Sequence, residues 1–478
     1  MSKREKRKAP RAPGASFHDL VTGYDKGPVP EYLSIDKSAW LGDEDIPIDR
    51  YISREIHDLE KERIWKKAWQ MACREEEIPE VGDAIVYEIT DISILVVRVT
   101  EREIKAYYNV CLHQGRQLRD GPSHNEELRC PFHGFCWELD GTLKSIPSRW
   151  DFPQIDEKEL DLVPVQVGRW GGFVFINMDP EARNLESFLG DLGMHWEKFP
   201  LEDRYIAAHV AKIVPVNWKI AQEAFMEAFH NITTHPQFGV YFGGMASESN
   251  QYDPMGNYSR AVGQGSAELH FDWTPDREEQ AAAYPGFGYA EAMRRVWKNY
   301  LKQDSEDLPS FELRIRREAL REVIGDKVDA LTDFEVYGGG FFTVFPNFHP
   351  WWAYDELTYR FRPYGDEPEM SIFEIYLLRP FKGERPKPAP TRSLGVDQSF
   401  MEAADLLGIM VRVLDQDEYN LPSIQKGLHN LKALGRGIKP GVYQATKIRH
   451  FHKIWEQWIG GDNKTRGPGG DGTTRPSR

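Results

Sequence analysis

Four residues of two ligand types lie close together between positions 111 and 133 of this sequence. Cys111 and His113 are separated by one residue, Cys130 and His133 by two, and sixteen residues lie between the pairs. Two thiolates and two imidazoles can hold a tetrahedral zinc ion, or a two-iron, two-sulfide cluster with both cysteines on one iron and both histidines on the other. Zinc sites usually pair like ligands, whereas each loop here supplies one of each. The spacing therefore favours the iron–sulfur cluster.

A second group of possible ligands lies between positions 217 and 238. Good helix formers predict a helix through Phe229, and a proline directly after His235 prevents further helix. Glu227 and His230 are three apart and share a helical face, while His235 can reach the same point only if the helix unwinds. Two histidines with a carboxylate suit a mononuclear iron site that keeps positions open for dioxygen and substrate. Taken alone, the spacing also fits two ordinary polar or core histidines.

The elements around the first group are predominantly β. Alternating apolar stretches at 83–98 and 163–179 predict strands of a small all-β module that spans roughly 66–178. Before it, residues 49–69 have apolar side chains near helical spacing and predict an amphipathic helix. Residues 49–65 are expected to pack on the larger domain that follows.

The larger domain is assigned to residues 179–459. Segments between 334 and 380, with turn residues at 364–366, predict an antiparallel sheet, so the fold class is α+β. Residues 286–331 are interpreted as surface helices that form a lid or an entrance together with the polar stretch 244–281.

Composition limits the kind of protein. The chain has 478 residues, a net charge of −15, four cysteines and 40% hydrophobic residues. An acidic chain argues against nucleic acid as a partner, and so few cysteines favour a reducing compartment, which we expect to be the cytoplasm. We find no signal-peptide pattern and no membrane-spanning run of apolar residues. Residues 1–48 are expected to be a partly disordered arm and 460–478 a disordered tail.

Both ligand groups resemble one family, the Rieske non-haem iron oxygenases. Its cluster pattern is C-x-H followed by C-x-x-H-G, and Gly115 and Gly134 stand where that pattern has glycines. Its catalytic pattern is NWK, then EN, then D-x-x-H-x₄-H. The residues in register with the catalytic pattern are Asn217, Trp218, Lys219, Glu223, Phe225, His230 and His235. Ala224 and Glu227 depart from it, standing in place of the usual Asn and Asp.

The resemblance implies the cofactors and the fold. Cys111, His113, Cys130 and His133 would hold a Rieske [2Fe-2S] cluster, without the disulfide of respiratory Rieske proteins because Arg116 and Phe132 occupy its positions. His230 and His235 would bind mononuclear Fe(II). The fold implied is a small all-β Rieske domain joined to a helix-grip (START-like) catalytic domain with an antiparallel sheet.

The third iron ligand is expected from the region 413–430. Asp417 stands eight residues before Gln425, and this resembles the family's D-x₇-Q-x-G-L helix. Asp415 and Glu418 remain competitors, because an acidic cluster is often only a solvated helix face. The resemblance also gives Glu227 the role of a bridge to a cluster histidine of a neighbouring subunit, and hence implies a homotrimer, with or without a β subunit.

The implied function is the terminal oxygenase of a multicomponent system. A ferredoxin, a flavin reductase or both would supply electrons, because no dinucleotide-binding glycine motif follows a strand. Dioxygen would be inserted into a hydrophobic substrate, with aromatic hydrocarbon catabolism as the expected setting. The alternatives are a monooxygenase or demethylase of a non-aromatic substrate, a non-catalytic Rieske electron-transfer protein, and a zinc-stabilised ligand-binding protein.

Overall fold

The β-rich segments on both sides of the Cys/His loops form antiparallel sheets. The computed structural model describes residues 10–11, 16–24, 27–235, 250–263, 308–408 and 410–460. The first strands are β1 (Gln70–Arg74), β2 (Asp83–Ile89), β3 (Ile92–Arg98), β4 (Ile104–Tyr108), β5 (Ser123–His124), β6 (Leu128–Arg129), β7 (Cys136–Trp137), β8 (Leu143–Ser145), β9 (Pro164–Trp170) and β10 (Phe173–Asn177). They form a seven-stranded sheet in the order β1-β10-β9-β4-β3-β2-β5 and a three-stranded sheet β6-β7-β8. The predicted all-β domain is confirmed.

The larger domain contains an eight-stranded sheet. Its strands are β11 (Arg204–Val214), β12 (Gln251–Met255), β13 (Tyr258–Gly263), β14 (Gly339–Val344), β15 (Phe348–Pro350), β16 (Leu357–Tyr364), β17 (Glu367–Pro380) and β18 (Thr391–Leu394). The order is β12-β13-β14-β15-β16-β17-β11-β18, and only the β11–β18 pair in it is parallel. Gly365 has φ +54° in the tight turn between β16 and β17, a conformation that favours glycine. The predicted antiparallel sheet and its turn are confirmed.

Helices cover this sheet, and one of them carries the candidate ligand Asp417. They are α1 (Phe17–Tyr24), α2 (Glu31–Ser34), α3 (Asp49–Ile52), α4 (Arg54–Glu60), α5 (Leu185–Leu189), α6 (Trp218–Glu223), α7 (Asn231–Thr234), α8 (Leu308–Ile324), α9 (Asp333–Tyr337), α10 (Ala404–Leu407), α11 (Met410–Ala433) and α12 (Thr446–Gly460). Helix α6 packs on β16 and β17, and α12 packs on β12 and β13. The amphipathic α12 buries Phe451, Ile454 and Trp455 against the sheet.

The single helix predicted over 49–69 is divided in the structure. Ser53 has extended backbone between α3 and α4, and its hydroxyl accepts a hydrogen bond from the Ile56 N–H. A π-helical turn at Lys61–Trp65 then leads toward β1, which begins at Gln70. The predicted helical character of this segment is confirmed, but Ser53 ends the first helix because its side chain caps the second.

A buried ionic contact joins the seven-stranded sheet to the eight-stranded sheet. Arg360 on β16 donates to Glu374 on β17 through two hydrogen bonds of 2.7 and 2.5 Å, and it also donates to the Met71 carbonyl on β1 at 3.1 Å. Arg362 adds a hydrogen bond of 3.0 Å to Glu374. Burial raises the pKa of Glu374, but the two guanidinium groups outweigh it and hold the pKa well below its usual value. The charged group on the larger sheet therefore anchors a strand of the smaller one.

The described part of the N-terminal arm is packed on the larger domain. Phe17, Val21 and Leu33 are buried in its core. The buried Arg260 on β13 donates to the backbone carbonyls of Tyr32 and Ile35, at 2.6 and 3.0 Å. This stretch of the expected arm therefore has a fixed place on the sheet.

The interpretation of 244–331 as a lid or entrance is wrong for residues 250–263. They form β12 and β13, whose Asp253 and Arg260 make a fully buried ion pair of 2.9 Å. The sequence of these two strands looks like a polar loop because it contains charged residues that are buried in the fold. The predicted helix is present at α8, while 264–307 and the tail 461–478 lie outside the described residues. Within the part of the chain that the structure describes, no helix is long and apolar enough to cross a membrane.

Candidate functional site

The two Cys/His loops share one backbone geometry. The Cys111 N–H donates to the Arg116 carbonyl at 2.7 Å, and the Gly115 N–H donates to the Cys111 carbonyl at 2.9 Å. In the second loop, Cys130 bonds to the residue five positions later, Phe135, at 2.8 Å, and the glycine four positions later donates to Cys130 at 3.1 Å. Both loop glycines have φ of +79°, which favours glycine. Each loop is thus closed by its own hydrogen bonds.

The structure brings like ligands together at the loop tips. Cys111 and Cys130 are buried, and the pKa of the Cys111 thiol is raised by burial and by the neighbouring Cys130 thiol. The rings of His113 and His133 lie 4.7 Å apart on the more exposed side. Paired thiols and paired imidazoles suit a cluster with one iron on each side.

The surroundings of these residues fit such a cluster. His113 stacks on Phe135 with ring centroids 4.6 Å apart, and its Nδ1 atom is buried without a hydrogen-bond partner in the described residues. A buried nitrogen without a partner is costly unless something binds it. An iron ion would satisfy this atom, so the residues present fit a [2Fe-2S] group.

The other two cysteines are buried thiols away from this arrangement. Cys136 lies on β7, and burial together with Glu127 raises its pKa to about 11. Cys73 on β1 is also buried, which raises its pKa well above the usual value.

The second candidate site begins where α6 ends. The chain leaves helical geometry after Glu223 and returns to a single turn at α7, so the helix predicted through Phe229 is wrong at its end. The Glu227 carboxylate accepts from the N–H groups of Phe229 and His230, and it accepts from His230 Nδ1 at 2.7 Å. A side chain therefore replaces helical hydrogen bonds and also orients the first histidine.

The two histidines and Asp417 converge on one point. Asp417 Oδ1 lies 3.5 Å from His230 Nε2 and 3.0 Å from His235 Nε2. One ligand atom from each of the three residues lies within 4.8 Å of the others. His235 and Asp417 are almost fully buried, and a quarter of His230 is exposed. Two imidazoles and a carboxylate on one side of a point form a donor set that suits iron(II).

The competing carboxylates have other partners. Asp415 accepts from the Ser399 hydroxyl at 2.5 Å and from the Phe400 N–H at 2.8 Å. Glu418 pairs with the buried Lys212 at 2.9 Å. Neighbouring positions of α11 thus point in three directions, and Asp417 is the one directed at the histidines.

Electrostatics bind these three residues together even without a metal. Burial raises the pKa of Asp417, but hydrogen bonds with both histidines outweigh it and hold the pKa below its usual value. Burial lowers the pKa of His230, but Asp417 and Glu227 outweigh it and raise that pKa to about 10. The imidazoles and carboxylates of this group are thus complementary in charge, and a metal ion bound here would compete with protons for the same atoms.

Two supporting residues could not be assigned from the motif alone. Gln416 Oε1 accepts from His235 Nδ1 at 2.9 Å. Gln425, in the D-x₇-Q pattern, accepts from the Asn217 N–H at 2.9 Å at the start of α6. The eight-residue spacing in α11 thus links Asp417 to the helix that precedes both histidines. Only the direction of each side chain on the folded helix reveals this.

A wall of aromatic rings lies beside the site. Phe225, two positions before Glu227, has ring centroids 5.0 Å from Tyr359 and 4.7 Å from Phe373. Burial, Asp355 and Asp417 all raise the pKa of Tyr359, which places this ring within the field of the Asp417 carboxylate. Phe225 and Trp351 are only partly buried. The partly exposed members, Phe225 and Trp351, could each offer a π face to a small molecule.

Comparisons with known proteins agree with both sites. Residues 68–156 match the Rieske [2Fe-2S] domain, and residues 194–461 match the catalytic domain of the ring-hydroxylating alpha subunit. The chain is 34% identical over 205 residues to the carnitine monooxygenase oxygenase subunit of Escherichia coli (strain K12), covering 42% of this chain and 54% of that protein. It is 28% identical over 202 residues to the chlorobenzene dioxygenase subunit alpha of Cupriavidus sp. (strain PS12), covering 40% and 44%. These alignments span only about half of each relative.

A solved structure shows the same fold over nearly its whole length. The crystal structure of a quaternary ammonium Rieske monooxygenase in complex with L-carnitine matches with a TM-score of 0.60 and 18% identity, covering 88% of this chain and 96% of that one. In this chain a Rieske [2Fe-2S] domain is followed by a catalytic domain of the type that uses mononuclear iron. This chain belongs to the family of ring-hydroxylating alpha subunits.

Proposed function

We propose that this chain is the terminal oxygenase component of a multicomponent Rieske non-haem iron system. The observation that carries the proposal is the convergence of His230, His235 and Asp417 in a chain that also pairs two thiols and two imidazoles. A zinc-stabilised binding protein or a simple electron carrier would have no use for the second site.

The residues divide the work between two metals. Cys111 and Cys130 would hold the inner iron of the cluster, and His113 and His133 the outer one. His230, His235 and Asp417 would hold Fe(II) from one side and leave the other side open. When bound, the cluster supplies single electrons and the mononuclear iron supplies dioxygen activation.

The protein side of the reaction follows from the contacts. Glu227 and Gln416 accept from Nδ1 of the two histidines, so both rings direct Nε2 toward Asp417, the side on which a metal would bind. The partly exposed Phe225 would offer its π face to a substrate held beside the iron ligands. A separate ferredoxin or flavin reductase would supply the electrons.

Our preferred substrate class is a quaternary ammonium compound, oxygenated once. This is the non-aromatic alternative raised by the sequence. The E. coli relative is a carnitine monooxygenase subunit, and aromatic faces attract quaternary ammonium groups. The overall balance is one dioxygen, two electrons and two protons per substrate, giving one hydroxylated product and one water.

The second candidate is oxygenation of an aromatic ring. The Cupriavidus relative is a chlorobenzene dioxygenase subunit, and the same wall can stack on a neutral ring. Aromatic catabolism therefore remains a proposal of second rank.

Assembly is proposed to be a head-to-tail homotrimer, with or without a β subunit. Large apolar side chains are exposed beside both sites: Phe132 and Trp150, 63% and 81% exposed, at the cluster loops, and Phe229 and Tyr419, 56% and 83% exposed, near the iron site. Heterologous contacts of this kind close into rings. Glu227 accepts three hydrogen bonds from the described residues, and a carboxylate offers about four acceptor positions, so a fourth could serve a neighbour's histidine.

The test is a substrate screen with a surrogate reductase. Purified protein with both metals would be incubated with NADH, dioxygen and either N-methylated ammonium compounds or aromatic hydrocarbons. Product coupled to oxygen uptake with carnitine-like compounds supports the preferred class, and dihydroxylated rings support the second. Absence of acid-labile sulfide, or zinc bound in its place, would refute the oxygenase proposal as a whole.

A further inference from the structure

Gln416 stands next to the proposed ligand Asp417 in α11 and contacts the same histidine from the other side. Its amide oxygen accepts from His235 Nδ1 at 2.9 Å, while Asp417 Oδ1 lies 3.0 Å from Nε2 of that ring. Two consecutive residues of one helix therefore hold the opposite nitrogens of one imidazole.

We infer that Gln416 is a positioning residue that fixes the tautomer and ring orientation of His235 for metal binding. The inference rests on the proposed iron site. An imidazole binds a metal through the nitrogen that carries no proton, so the proton has to stay on the other nitrogen. An acceptor fixed at Nδ1 keeps it there. Gln416 provides that acceptor from the same helix that provides Asp417, so both parts move as one unit.

The two histidines have partners of different charge. His230 Nδ1 contacts the Glu227 carboxylate at 2.7 Å, whereas His235 Nδ1 contacts a neutral amide. Asp417 and Glu227 together formally balance the two charges of Fe(II). A carboxylate at position 416 would give the site a net negative charge, so the amide orients His235 without adding charge. This asymmetry predicts different results for the loss of the acceptor and for the gain of a charge.

The surroundings set the size of the effect. Gln416, Thr233, Thr234 and Tyr419 line an open cleft with a volume of about 410 Å³. Without the amide, the Nδ1–H group would turn to water in this cleft, which has no fixed position. Loss of such an outer partner typically weakens metal binding about 10- to 100-fold.

Three variants separate orientation from packing. Gln416→Leu keeps the bulk and removes the acceptor, and Gln416→Ala admits water. Gln416→Glu keeps the acceptor and adds a charge. The matched control is Asn420→Ala, because Asn420 lines the same cleft and its side chain donates to the Gln416 backbone carbonyl at 3.0 Å instead of to His235.

The readouts are anaerobic Fe(II) binding by equilibrium dialysis and the EPR spectrum of the nitric oxide adduct, with the cluster kept oxidised. We expect Leu and Ala to weaken Fe(II) binding about 10- to 100-fold and to change the spectrum, while Glu and the Asn420 control bind as tightly as the unchanged protein or more tightly. If Leu does not fold, the comparison of Ala with Glu decides. Unchanged affinity and spectrum in Leu or Ala would overturn the inference alone. A His230→Ala variant with Gln416 unchanged serves as the test of the site itself. If that variant still binds iron as tightly, the proposed site is overturned as well.

Discussion

The two proposed metal sites differ in how far apart their residues lie along the chain. The cluster residues all lie between 111 and 133, in loops closed by their own backbone hydrogen bonds. The iron site needs His230 and His235 after α6 and Asp417 in the distant α11, which meet only when the larger domain is packed. Local closure makes the first site readable from spacing, whereas the second is a product of tertiary structure.

This difference has an energetic side. Each cluster loop places its cysteine with hydrogen bonds that span five residues or fewer. The iron site instead depends on contacts such as Gln425 with the Asn217 N–H and Gln416 with His235. A change in the core of the larger domain should therefore disturb the iron site before it disturbs the cluster loops.

Cys111→Ala should have the largest effect on the first site. It removes one of four ligands, so the protein should lose its red-brown colour, its acid-labile sulfide and two iron atoms per chain, because a cluster does not assemble on three ligands. The matched control is Cys136→Ser, which changes the buried thiol on β7 and should keep all three. Metal and sulfide analysis after anaerobic purification decides it. Sulfide retained by Cys111→Ala would show that the loops do not hold a cluster.

Asp417→Ala should empty the proposed iron site and leave the cluster in place. It removes the carboxylate that both Nε2 atoms face, so one iron per chain and all oxygenation should be lost, a larger loss than the ~10- to 100-fold typical of an outer-shell change. The cluster spectrum should remain unchanged. Asp415→Asn is the control, since Asp415 accepts hydrogen bonds from the Ser399 hydroxyl and the Phe400 N–H instead. If the Asp415 variant loses the iron and the Asp417 variant keeps it, the third ligand has been assigned wrongly.

The fold could be predicted, and the candidate cluster residues could be singled out, because their signals are local. Alternation of apolar residues gave the antiparallel sheets, and the Cys/His spacing gave the cluster loops. Residues 250–263 were misread, because a buried Asp253–Arg260 pair makes two sheet strands look like a polar loop. The end of α6 was also misread, because the Glu227 carboxylate takes over hydrogen bonds that a helix would have made. Gln416 gave no sequence signal, since a glutamine beside an aspartate has no special spacing.

Glu227→Gln tests whether the two sites are coupled as well as different. The neutral amide can still accept from His230 Nδ1, so both metals and the oligomeric mass should be retained. Electron transfer between the sites should slow at least about tenfold, because the charge proposed to attract a neighbour's cluster histidine is gone. Single-turnover reoxidation of the reduced cluster, with and without substrate, measures it. A fully active monomer, or an unchanged rate in this variant, would show that Glu227 is not a bridge.

The contact between the two sheets provides the last and smallest test. Glu374→Gln leaves Arg360 and Arg362 without their carboxylate in a buried place, which should reduce the free energy of unfolding by about 3–5 kcal/mol. The control is Glu369→Gln on the same strand, whose ion pair with His429 is partly exposed and should contribute about 1 kcal/mol or less. Urea unfolding would be followed by cluster absorbance for the all-β domain and by tryptophan fluorescence for the whole chain. Because Arg360 also binds the Met71 carbonyl on β1, both signals should shift together to lower urea. If only fluorescence shifts, the cluster domain holds itself together independently of this contact, and the local character of the first site extends to its whole domain.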